Sequence, residues 1–181
     1  MRLFVTLAAI AATSPALAAQ VDDRAAIAIA KPQELVVAKG LPAASVSAML
    51  RPVDAFYGFW NNGSRTLLDA AISPRFVDHT LPKGRPQGPA GPAAAAKAFL
   101  AAVPDLKVAV VQRLVVGDRV VSHLHFTGHF TGTFMGAAGT GQPIDFIATD
   151  ILRVTGGKIT DNWHLEDNLT FQQQIGLVPA G

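Results

Sequence analysis

The stretch GGKITDNWHLEDNL, Gly156 to Leu169, decides how this chain is read. A Gly-Gly turn launches a strand, Lys158 to about Glu166, that carries Trp163, His164 and the acids Asp161 and Glu166, with Asp167 just beyond. Immediately upstream, IDFIATDILRV (Ile144 to Val154) is a β-branched and apolar run, so the two read as neighbouring antiparallel strands. Further back, RVVSHLHFTGHF alternates. Val120, Ser122, Leu124 and Phe126 share one face, and Val121, His123, His125 and Thr127 share the other. LKVAVVQRLVV precedes it and stops at Gly117-Asp118, a hairpin signal. Glycine-rich sequence from Gly132 to Gly141 makes a long turn.

The residues before these strands read as helices. Val53, Phe56, Tyr57 and Trp60 fall at i, i+3, i+4 and i+7, with Pro52 suited to a first helical position. Asn61 to Gly63 stops this helix, and Ser64 caps a second one built on Leu67, Leu68, Ala71 and Ile72. RFVDHT (Arg75 to Thr80) is extended, Pro82 to Pro92 is a loop, and Ala93 to Val103 is a third helix ended by Pro104. Helices followed by a run of antiparallel strands predict an α+β fold, with the N-terminal helices packed in a curved sheet.

Composition narrows the function. The first residues, MRLFVTLAAIAATSPALAAQ, combine Arg2, a short apolar run and an Ala16-Leu17-Ala18 cleavage pattern, which predicts a signal peptide over residues 1–18 and a secreted or periplasmic mature protein. No later segment is apolar over the roughly 20 residues that a membrane span needs, so no membrane insertion is expected after cleavage. Residues 19–50, Ala- and Val-rich, read as a loosely attached N-terminal extension with a short helix near Asp22 to Ala30, and residues 51–181 as the main domain. The formal charge of +2 comes from scattered basic residues, which gives nucleic acid no footprint. There is no cysteine, hence no disulfide, thiol nucleophile or Cys metal site. GAAGTG lacks the Lys-Ser/Thr pair and helix of a phosphate loop, and no Gly-x-Ser-x-Gly elbow occurs.

The ordered set YGFWNNGS, FVDHT, VPDLKVAV, VVGDRVV, GTFMGAAGTGQPI and DILRVTGGKITDNWHLEDNLTFQQQIGL resembles the SnoaL-like polyketide cyclase family, which includes the ester cyclases and sits in the nuclear transport factor 2-like superfamily. The resemblance spans Val53 to Val178. It implies a cone-shaped fold with an apolar pocket and homodimers formed through the sheet. It also implies an aspartate after the last-strand Trp as acid/base for ring closure, here Asp167, and a pocket-facing histidine of the FVDH element, here His79. The sequence departs from the family at GHFTG, where Phe130 stands in place of an expected histidine. No functional role is carried onto His129, because a one-residue shift in a strand reverses the face.

On this basis Trp163, Leu165 and Asp167 alternate onto one face, and Phe56, Trp60, His125 and Asp150 join them around the pocket. An ordinary aspartate, with a pKa of about 3.9, is a poor base for a carbon acid, and burial among apolar groups would strengthen it. Other readings stay open. Asp167 can cap a terminal helix, His79 can be a half-buried structural histidine, Asp150 can pair with Arg153, and Glu166 and Asp161 can be solvated. Three functions follow: acid/base catalysis of cyclase, isomerase or hydrolase type on a small hydrophobic carbonyl compound, with no cofactor; non-catalytic binding of such a ligand; or a metal-dependent enzyme using His123, His125 and Asp150.

Overall fold

The computed structural model describes residues 21–179, so the expected signal segment lies outside the described residues. The chain forms α1 (Asp23–Ile29), β1 (Glu34–Val37), α2 (Ala43–Asn62), α3 (Arg65–Ala71), β2 (Ile72–Asp78) and α4 (Ala90–Ala102). Then come β3 (Lys107–Val116), β4 (Arg119–Phe130), β5 (Thr133–Phe134), β6 (Ala137–Ala138), β7 (Gln142–Thr155), β8 (Lys158–Glu166) and α5 (Asn168–Gln174). Among the described residues no helix is long and apolar enough to cross a membrane.

The sheet is six-stranded in the order β1-β3-β4-β7-β8-β2, and it curves around the helices. Its four central strands are antiparallel, as their hairpin turns dictate. Both edges differ from the all-antiparallel expectation, because β1 runs parallel to β3 and β2 runs parallel to β8. Each edge strand reaches the sheet through a helical crossover, and such a connection permits parallel pairing where a tight hairpin cannot.

Within the expected extension, residues 21–50 are less loose than their composition suggests. Ala26 and Ala30 are fully buried, α1 packs on α2, and β1 registers Glu34 through Val37 against Gln112 through Val115. Helix α2 begins at Ala43, eight residues upstream of the expected boundary at residue 51. Pro52 therefore lies inside the helix and not in its first turn. Its ring forgoes one backbone hydrogen bond, and the burial of Pro52, Val53, Phe56 and Tyr57 offsets that loss.

Two β-bulges set which side chains face the helices. The β3–β4 register shifts between Val110 and Gln112, so Val108, Val110, Arg113 and Val115 all turn inward. The β7–β8 register shifts between Arg153 and Val154, where Val154 opposes Ile159 and Arg153 opposes Asp161. Ile159 and Asn162, three residues apart, are both buried as a result. Beyond that bulge every side chain of β8 sits on the face opposite to the one that simple alternation from Ile159 assigns.

Candidate active site

A cavity of about 160 Å³ opens between α2, α4 and the inner face of the sheet. Phe56 and Trp60 of α2, Phe99 of α4, Leu124 and Phe126 of β4, and Phe146 and Ala148 of β7 form an apolar wall, to which Phe76 and Phe134 add. These rings pack against one another: Phe126 on Phe146 at 4.8 Å, Phe99 on Phe134 at 5.5 Å, and Phe56 edge-on to Trp60 at 6.3 Å. The opposite wall is polar and holds Asp78, Asp150, Asn162, His164 and Glu166, with Arg85 and Asn168 nearby.

His164 is clamped between two carboxylates. Its Nε2 lies 3.0 Å from both oxygens of Asp78, and its Nδ1 lies 2.7 Å from Glu166 Oε1. Burial opposes its charge, but the hydrogen bonds and charges of Glu166 and Asp78 outweigh burial and raise its pKa to about 9. In turn, the His164 hydrogen bond and charge overcome burial at Glu166 and hold that carboxyl below the usual range. At neutral pH His164 is an imidazolium that donates from both ring nitrogens.

Asp150 sits one strand over, paired in register with His164 and 6 % exposed. The Tyr57 hydroxyl donates to its Oδ2 at 2.9 Å, and Asn162 Nδ2 approaches its Oδ1 at 3.5 Å. Burial pushes its pKa up to about 6; the His164 charge and the Tyr57 hydrogen bond limit the rise. Tyr57 is fully buried, and burial together with the Asp150 charge holds its hydroxyl well above the ordinary tyrosine range. Behind Tyr57 lies a buried array. The Arg113 guanidinium lies 5.5 Å from the Tyr57 ring centroid and donates to Asp54 Oδ1 (2.6 Å), Ser122 Oγ (3.3 Å) and the Ala30 carbonyl (3.3 Å). Asp54 accepts a second ion pair from Lys31.

Phe56, Trp60 and Asp150 line the cavity, whereas the other expected site residues face elsewhere. Asp167 caps α5: its Oδ1 accepts from the Thr170 amide at 3.1 Å and its Oδ2 from the Thr170 hydroxyl at 2.7 Å. Those bonds hold its pKa below the usual carboxylate range, the reverse of what a strong base needs. His79 lies on the outer face, stacked on Trp163 at 4.2 Å and bonded to Asp161 Oδ1 at 2.8 Å. Its neighbour Asp78 is the residue of that element that turns inward. Leu165 is 78 % exposed, and the guanidinium groups of Arg119 and Arg153 lie 5.3 and 5.6 Å from the ring centroid of Trp163 on the outer face. The β8 bulge accounts for Trp163 and Leu165, since it exchanges them for Asn162, His164 and Glu166 on the inner face.

His123 and His125 also point outward, bonded to Thr149 Oγ1 and Asp145 Oδ1. Asp150 points inward from the neighbouring strand, so these three do not converge. Among the described residues no cluster of three or more His, Asp or Glu is placed to hold a metal.

Residues 51–175 match the family model for SnoaL-like polyketide cyclase. A Bacillus cereus protein assigned as a polyketide cyclase is 41% identical, with 83% of this chain and 95% of that chain covered and a TM-score of 0.75. IdmH from Streptomyces antibioticus, also assigned as a polyketide cyclase, is 26% identical over 71% of this chain and 98% of its own, with a TM-score of 0.63. A Catenulispora acidiphila protein of ketosteroid isomerase-like fold shares the architecture at 19% identity, over 69% of this chain and 92% of its own, with a TM-score of 0.54. Among curated proteins, none matches the sequence.

Proposed function

The chain belongs to the SnoaL-like polyketide cyclase family, and from that premise we propose that it binds a small hydrophobic carbonyl compound in the aromatic cavity and acts on it by general acid/base catalysis through Asp150. The observation that carries this reading is a buried carboxyl on the polar wall of an otherwise aromatic cavity, held by the Tyr57 hydroxyl; burial there pushes its pKa up to about 6. Such a group is roughly nine-tenths ionised at pH 7, yet it is a base about two pKa units stronger than a solvated aspartate. It takes a proton from the carbon next to the substrate carbonyl and returns it to the oxygen or carbon that gains charge in the next step. Tyr57 donates to Asp150 Oδ2, and only the long 3.5 Å contact from Asn162 Nδ2 reaches Oδ1, the oxygen that takes the proton. The His164 charge keeps Asp150 ionised despite its burial.

The test is the pH dependence of kcat/KM. Asp150 works only when ionised, so activity rises with pH through about 6. His164 loses its proton only at about 9, well above the Asp150 value, so Asp150 stays ionised there and this pair produces no falling limb. A single rising limb at about 6 followed by a plateau is the expected result. A single low limb near the ordinary aspartate value of about 3.9 would sink the assignment.

We also propose that the protein is exported, on the strength of the predicted signal at residues 1–18, and that it pairs with a second copy through the outer face of the sheet. That face exposes Ile147, Ile151 and Leu165, at 47, 41 and 78 %. Light scattering should give a dimer for the native protein and a monomer for Leu165→Glu combined with Ile151→Glu. A monomeric native protein would overturn the pairing.

A further inference from the structure

The polar wall of the cavity is unevenly equipped. Its inner donors are already engaged: both nitrogens of His164 by Glu166 and Asp78, the Tyr57 hydroxyl by Asp150, and Asn162 Nδ2 by Asp150, while the Arg85 charge acts on Glu166. One buried acceptor is not. Asn162 lines the cavity and is 5 % exposed, and its Oδ1 has no hydrogen-bond partner among the described residues. A buried amide oxygen left without a donor is unfavourable, and native proteins rarely leave one so unless something else binds there. Three carboxyl groups, on Asp78, Asp150 and Glu166, share this wall with two cations, His164 and Arg85. The charge balance therefore disfavours an incoming anion.

We infer that the molecule this cavity takes presents a hydrogen-bond donor, a hydroxyl or an amine N–H, to Asn162, and that carboxylates are rejected. The inference rests on the reading of this cavity as the substrate site. The substrate class then narrows to a carbonyl compound with one enclosed aromatic-ring-sized unit and a hydroxyl or amine group beside the carbon that Asp150 deprotonates. A cavity of about 160 Å³ suits a single ring, with the remainder of a larger molecule outside. Asn162 is on this account the residue that discriminates substrates. An enzyme site built to hydrogen-bond a substrate group rejects analogues that lack it far more strongly than an apolar pocket rejects a missing methylene.

Calorimetric titration at pH 8 with four one-ring probes tests this directly: benzyl alcohol, benzylamine, toluene and benzoate. Benzyl alcohol, benzylamine or both should bind at least tenfold tighter than toluene and than benzoate. Comparing the alcohol with the amine shows whether the donor is neutral or cationic. In Asn162→Leu, which keeps the volume and removes the amide oxygen, the advantage over toluene should shrink to threefold or less. Toluene or benzoate binding as well as both donor probes, a preference unchanged in Asn162→Leu, or no binding by any probe would each overturn the inference. If Asn162→Leu does not fold, the four probes on the native protein decide alone. These are equilibrium measurements without turnover, so their failure and a failure of the Asp150 pH profile are told apart.

Discussion

Asp150→Asn is expected to reduce turnover by about 10²- to 10⁴-fold, the range that a positioned general base contributes. Asn is nearly isosteric, and its amide oxygen still accepts the Tyr57 hydroxyl, so the cavity keeps its shape and its ligand. What disappears is the capacity to take a proton. The same substitution provides its own control for folding. The folded pKa of Asp150, about 6, lies above the unfolded value of about 3.9, so folding favours the protonated form. Native stability contributed at this site is therefore present below about pH 4 and is lost as pH rises through about 6, on the order of 3 kcal/mol if the neighbours stay fixed. Asp150→Asn removes that titration, so at pH 8 the variant should be at least as stable as the native protein while being catalytically impaired. Asp167→Asn is the matching comparison. Asn caps a helix about as well as Asp, and the position lies outside the cavity, so turnover should stay within twofold of native. Native-like turnover in Asp150→Asn, measured with any substrate the protein accepts, would remove Asp150 from the mechanism.

The contrast between Asp150 and Asp167 also marks how far the sequence could be read. The helix face of Phe56, Tyr57 and Trp60, the alternation of β4 and the Gly156-Gly157 turn are local patterns, and each predicts its element. Asp150 follows from parity, because β7 runs without a break from Ile144 to Leu152 with every second residue buried. On β8 parity misleads. Counting from Ile159 puts Trp163 and Leu165 inside, and their apolar character agrees with that count. One extra residue at the bulge inverts it, and nothing local in Thr160-Asp161 announces the inversion. The inner positions then carry Asn162, His164 and Glu166, whose polarity is tolerable only because they bond to one another and to Asp78 and Asp150, contacts made across three strands. The outer positions gain their own logic from Arg119, Arg153 and His79 around Trp163. The inward turn of Arg113 is illegible in the sequence for the same reason as that of His164. A bulge turns it inward, where an arginine is expected only if a carboxylate meets it, and that carboxylate, Asp54, lies 59 residues away in sequence.

Arg113→Met should be the most destabilising of the substitutions considered, by about 3–5 kcal/mol, because removing one member of a buried ion pair strands the other. The Arg113 side chain is 1 % exposed and that of Asp54 is 12 % exposed, so the carboxylate left behind cannot simply be hydrated. Lys31 remains as a partner on the other carboxylate oxygen, but its side chain is 60 % exposed and it replaces none of the bonds to Ser122 or the Ala30 carbonyl. Lys31→Ala should accordingly cost no more than about 1 kcal/mol, in the range of surface ion pairs. Replacing both partners, as Arg113→Met with Asp54→Leu, should recover a large part of the loss, since apolar side chains of similar size need no counter-charge. Urea unfolding monitored by Trp fluorescence measures all four proteins, and comparable slopes would show that the change lies in stability and not in the size of the cooperative unit. If Arg113→Met cost less than 1 kcal/mol, or if the double variant were less stable than the single one, the guanidinium would not be the tie between α1, α2 and the sheet. The N-terminal segment through Ala30 would then be held by apolar packing alone. The expected outcome instead makes the polar array behind Tyr57 part of the structure that fixes Asp150, because Arg113 spans the Ala30 carbonyl, Asp54 and Ser122 and packs on the ring whose hydroxyl holds the cavity acid.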